Sequence, residues 1–228
     1  LVDTKTGLEH IARIGFDSVD IFTEAMTIEQ AEIDLIRRTC DDNDLPIVST
    51  VVVSAGLVDF NDPVRDYHVE RANRFVDLGQ TFNSNNLLLV LGEYIWQREV
   101  IPPEAQWEWG VEGVRKIGEY AGERGMEIAL ELEPFRLSLL NSVPKMAQFI
   151  DDCGLPNVKA NIDISHLVLA DTPPDALELL EDPSDVVVGV RDRGVVAAAQ
   201  HGRIRLGDGR LVGAVVDKGR HVAKGAEL

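Results

Sequence analysis

Short apolar segments alternate with stretches of helical periodicity across the first 183 residues, and this alternation restricts the fold more than any other feature. The segments are Ser18–Phe22, Ile47–Val53, Leu87–Gly92, MEIALELEP from Met126 and VKANIDISHL from Val158. Consecutive ones start roughly 30 to 40 residues apart, which is the length a parallel βαβ crossover needs. The β-branched run IVSTVVV, Ile47 to Val53, reads as a strand buried on both faces.

The intervening stretches carry helix signals. Thr6 and Glu9 form a capping box for LEHIAR, which Gly15 stops. Thr27 with Gln30 opens a helix whose Ile28, Ala31, Leu35 and Ile36 share one face. A third helix runs from about Val64 to Leu78. Pro102 and Pro103 open a fourth, carrying Trp107, Val111, Val114, Ile117 and Ala121 at helical spacing. Ser142 caps VPKMAQFIDD, Gly154 closes it, and PPDALELLED adds a short helix.

Two α/β architectures fit, an open doubly wound sheet and a (β/α) barrel. No early strand is followed by a glycine-rich dinucleotide or P-loop pattern. Polar residues gather instead at the ends of successive strands, as in barrel enzymes, whose sites are assembled at strand C-termini. The fold class expected is therefore α/β, a TIM-type (β/α) barrel. A barrel of this type has eight strands. Five are evident, and Val186–Val190 reads as a sixth. The first strand and the last one or two βα units are expected to be missing or altered. The chain does not begin with Met, which fits a missing or processed start.

Two domains are read: residues 1–183 as the barrel, and 184–228 as an atypical segment forming a β-hairpin or disordered. The latter carries eight Lys/Arg against five Asp/Glu and no Phe, Trp or Tyr, whereas residues 1–183 carry 14 against 34. Such a shift marks a separate module, a divergent segment or a frameshifted end. The overall net charge of −17 opposes binding to a phosphate backbone, so no nucleic-acid partner is expected. No apolar run approaches membrane-spanning length. Cys40 and Cys153 suggest no disulfide framework, and a reducing cytoplasmic setting is the default. An unclosed barrel exposes strand edges, which leaves homo-oligomerisation open.

Period-two alternation in IALELEP puts Ala129, Glu131 and Glu133 on one face. Two carboxylates on an otherwise apolar strand need a compensating cation. One reading is an ion pair with Arg136 or another barrel Lys or Arg, and the other is a metal-ligand carboxylate. Asp163, on the adjacent strand, would lie on the order of 5 Å away, close enough to share an oxygen-liganded Mg²⁺ or Mn²⁺. His166 follows Asp163 by three residues, where the strand turns into its loop, and an imidazole there can ligate or hold a substrate hydroxyl. Glu133 and Trp96, the latter in a strand-end loop, are candidates for substrate contact. Asp20 is a weaker candidate, and His10 and His68 read as structural or solvent-facing.

IALELEPF followed by ANIDISHLVLA, over about Gly7 to Leu180, resembles the xylose isomerase-like TIM-barrel superfamily of sugar and sugar phosphate isomerases and epimerases. The resemblance implies Glu131 as metal ligand and catalytic acid/base, Asp163 as second ligand and His166 as substrate contact. It implies a divalent cofactor, Mn²⁺ or Mg²⁺ with Co²⁺ also compatible, and proton transfer next to a carbonyl through an enediolate. The substrate implied is a small sugar or sugar phosphate. An inosose dehydratase-type lyase on the same fold, or a catalytically impaired barrel fragment, is the alternative. The family also supplies a ligand His on the next strand and a Glu on the last. Aligning its motif on VVVGVRDRG puts Gly189 at the His position and Asp192 at the following Asp. His201 then falls in a loop, and Glu227 comes too soon after it to be the final Glu.

Overall fold

The computed structural model describes residues 3–94, 96–161, 163–172 and 186–187. Its helices are α1 (Thr4–Ile14), α2 (Gln30–Asp42), α3 (Asp62–Thr81), α4 (Pro103–Gly122), α5 (Val143–Cys153) and the short α6 (Ile164–Leu169). Its strands are β1 (Val19–Phe22), β2 (Ile47–Val53), β3 (Asn86–Val90), β4 (Glu127–Glu131), β5 (Val158–Asn161) and β6 (Val186–Val187). Every pairing is parallel, and the strands lie in the order β1-β2-β3-β4-β5-β6. A doubly wound sheet reverses its strand order to put helices on both faces. An order that never reverses keeps right-handed crossovers on one side, so the described sheet is of the (β/α) TIM-barrel type.

Alternation along each strand separates two faces. Thr50 and Val52, Leu87 and Leu89, Ile128 and Leu130, and Val158 and Ala160 point to one side and are buried. There they join Phe75 and Val76 of α3, Val114 and Ile117 of α4, and Met146 and Phe149 of α5 in the main core. Each large apolar side chain buried in this way contributes about 1.5–3 kcal/mol. Thr50 is admitted because its hydroxyl donates to the Phe75 carbonyl at 3.0 Å. A second core under α1 and α2 centres on Leu8, Ile21, Ile36, Leu45 and Phe82.

The other face is the inner one of the sheet. The reading of IVSTVVV as buried on both sides holds along its length except at its last residue, with Ser49 buried on the inner side. Val53 is 41% exposed and Phe22 70%, each at the C-terminal end of its strand. Other boundaries shift for local reasons. Asp3, rather than Thr6, caps α1, its carboxylate accepting both the backbone N–H and the hydroxyl of Thr6. Helix α2 begins at Gln30 instead of Thr27, since the N–H groups of Thr27 and Ile28 are taken by the Glu24 carbonyl in the preceding turn. Gly15 and Gly154 end α1 and α5 in the left-handed conformation, as expected. Ser142 occupies the N-cap position of α5 without a side-chain capping bond.

Val186–Val187 pairs with β5 where a sixth strand was expected. The expected helix PPDALELLED, the hairpin after it, Gly189, His201 and Glu227 lie outside the described residues. Among the described residues, no helix is long and apolar enough to cross a membrane.

Candidate metal centre

The chemistry-bearing side chains gather at the C-terminal edge of the sheet, where β4 and β5 end. Glu131 closes β4 on the inner face and is 8% exposed. Its register partner is Asn161, the last residue of β5, whose Nδ2 donates to Oε2 at 2.5 Å. His166 places Nδ1 2.9 Å from Oε1 of Glu131 and 2.6 Å from the Leu132 carbonyl oxygen. Its Nε2 is 3.8 Å from Oδ2 of Asp163. Glu131, Asp163 and His166 each offer a ligand atom, and these atoms lie within 4.8 Å of one another. Two carboxylate oxygens and an imidazole nitrogen at that spacing are a donor set suited to a divalent cation.

VKANIDISHL is not a strand to its end. β5 stops at Asn161, and α6 opens at Ile164. Asp163 sits just before that helix, and its Oδ1 accepts the His166 N–H at 3.3 Å in the manner of an N-cap. His166 is therefore fixed in a first helical turn, not in the loop expected for it. The turn brings its ring back over the end of β4, which an extended chain three residues past Asp163 would not do.

The electrostatics follow from this packing. His166 is pushed up to about 9, chiefly by its hydrogen bond to Glu131, against the effect of burial. The Asp163 and Glu131 charges act in the same direction. The carboxylate pair thus already attracts positive charge, here a proton on the imidazole.

Glu133 is half-buried, and its carboxyl is raised by desolvation first and by the Glu131 charge second. The Gly92 N–H donates to it. Gly92 has φ +80°, and a Cβ there would meet that of Ala55 at 3.0 Å, so this close approach of two loops requires glycine. The loop after β4 is tied to the loop after β3 by a bridge between Glu93 and Ser138 and by the Tyr94 N–H donating to the Leu137 carbonyl at 2.8 Å. Arg136, the alternative partner for Glu131, lies exposed.

Of the other candidates, Trp96 packs edge-on against Phe60 at 4.6 Å, and buried Gln106 holds its backbone N–H and carbonyl at 3.3 Å each. Asp20 is level with Glu127 in the sheet register and accepts from Ser49 Oγ at 2.5 Å. Glu131 lies four residues further along β4 than that level, and Asp20 is not among the residues whose ligand atoms converge with it. Burial raises the Asp20 carboxyl. Asn161 was missed in the sequence. Its signal is position, two residues before Asp163 and level with Glu131.

The profile of the xylose isomerase-like TIM barrel family matches residues 8–223. The chain belongs to this family. The D-psicose 3-epimerase of Agrobacterium fabrum (strain C58 / ATCC 33970) is 24% identical over 177 residues, 70% of this chain and 57% of that protein. D-Psicose 3-epimerase with D-tagatose from Clostridium cellulolyticum H10 superposes with a TM-score of 0.67 at 20% identity, over 78% of this chain and 64% of that one. A xylose isomerase-like TIM barrel protein from Mycobacterium smegmatis in complex with magnesium gives 0.63 at 20% identity, over 78% and 61%. The xylose isomerase-like chain thus spans between 57% and 64% of the length of these relatives.

Proposed function

We propose that the chain is a divalent-metal-dependent sugar or sugar phosphate isomerase/epimerase that moves a proton at a carbon next to a carbonyl. The observation that carries this reading is the convergence of Glu131, Asp163 and His166 within 4.8 Å at the C-terminal edge of the sheet. Membership of the family and similarity to a sugar 3-epimerase support it. Glu131 and Asp163 would hold the cation, Mn²⁺ or Mg²⁺ by the hardness of their oxygens. When bound, such a cation supplies Lewis acidity at the carbonyl and neighbouring hydroxyl oxygens of the sugar.

The remaining work falls to the chain's own groups. Glu131 is the proton carrier, and its near-complete burial keeps water from competing for the proton. Glu133, half-buried beside Glu131, is suited to hold a substrate hydroxyl. His166 orients a substrate hydroxyl beside Asp163, and Trp96 walls the approach from the loop after β3. The same proton abstraction begins an elimination, so a panel that includes inosose-type substrates distinguishes a lyase.

The test is turnover of ketoses by the full chain with Mn²⁺, with chelator, and in Asp163→Ala. Activity is expected only in the Mn²⁺-loaded parent. Turnover indifferent to both chelator and the substitution would refute the metal mechanism.

A further inference from the structure

The parallel register of β4 and β5 sets Asn161 directly beside Glu131 on the inner face. Asn161 Nδ2 takes Oε2 at 2.5 Å, while His166 Nδ1 faces Oε1 at 2.9 Å. The two oxygens of one carboxylate are therefore distinguished by two different donors. An amide nitrogen only donates, so Asn161 restrains Oε2 while offering no ligand through that nitrogen. It leaves Oε1 on the side of His166, whose Nε2 neighbours Asp163. Asn161 also precedes Asp163 by two residues on the same segment. One stretch of backbone thus supplies one candidate ligand and restrains the other.

We propose that Asn161 is a positioning residue of the metal centre. By holding Oε2 it makes Glu131 a one-oxygen ligand through Oε1 and fixes the direction from which that oxygen meets the cation. This rests on the reading of Glu131 and Asp163 as metal ligands. Partners in this outer position typically set metal affinity by about 10- to 100-fold. A carboxylate released from its amide must be ordered by the cation itself, which weakens binding. It is then free to turn and chelate through both oxygens, which raises the coordination number.

The experiment is titration calorimetry of the full chain with Mn²⁺, and the visible absorption of bound Co²⁺, for the parent, Asn161→Leu, Asn161→Ala and Asp163→Asn. Both Asn161 variants are expected to weaken Mn²⁺ binding by about 10- to 100-fold. They are also expected to lower the intensity of the Co²⁺ band, which falls as coordination number rises. Asp163→Asn is expected to remove saturable binding. Circular dichroism establishes folding, and if the leucine variant does not fold, the alanine variant decides. Asn161 variants that match the parent in both readouts, while Asp163→Asn loses binding, overturn the role of Asn161 and leave the metal reading standing. A parent that binds no Mn²⁺, or an Asp163→Asn chain that binds as well as the parent, overturns both.

Discussion

Replacing Glu131 by Gln in the metal-free protein should return His166 towards the ordinary histidine range. In the folded chain His166 is raised from 6.5 to about 9, with the Glu131 hydrogen bond the largest cause and burial opposing it. A difference of that size favours the charged imidazole by on the order of 3 kcal/mol. The His166 side chain is 25% exposed, so most of this survives solvent screening. Because the folded value lies above the unfolded one, the stabilisation is fully present below about pH 6.5 and is lost as pH rises through about 9. The assay is an NMR titration of the His166 ring protons in chelator, paired with melting curves between pH 6 and 10. The parent should titrate near 9 and lose stability over that upper range, whereas Glu131→Gln should titrate lower and show a flatter profile. A parent His166 titrating near 6.5, or a midpoint unmoved by Glu131→Gln, would refute the coupling.

Two further outcomes follow from the core. A Cβ on Gly118 would meet Leu155 Cδ1 at 2.8 Å and Val158 Cγ2 at 2.9 Å, inside the packing of α4 on β5. Gly118→Ala should therefore destabilise by about 1–3 kcal/mol in urea unfolding, and a neutral result would mean that this contact yields freely. Burial pushes the Cys153 thiol up to about 12 and Cys40 to about 11. Neither should react with iodoacetamide in the native chain at pH 8, while both should react in denaturant. Native-state labelling read by mass spectrometry would contradict that burial.

Much of this architecture was legible in the residues, for reasons that differ between elements. Strand spacing and apolar periodicity placed β1 to β5, because a parallel crossover demands length and a helix packed on a sheet demands one apolar stripe. The pairing of Glu131 with the Asp163 strand was legible too, since adjacent parallel strands bring their ends together. The loss of β5 at Asn161 was not. NIDIS alternates as a strand does, but the same letters hold an aspartate ahead of a short helix, and the local cap prevailed. The exposure of Val53 was hidden for the opposite reason. Composition states that a strand is apolar on both sides without stating what covers the second one. Trp96 is placed by Phe60 and Gln106, partners far enough away in sequence that no periodicity announces them.

The unreversed strand order has a consequence for synthesis. Each strand pairs with the one made just before it, so a chain leaving the ribosome adds to a sheet whose edge is already there. Glu131, Asn161, Asp163 and His166 all come from the single run β4-α5-β5-α6. The four groups are therefore drawn from one continuous stretch of the chain, and the donor set depends on local connectivity.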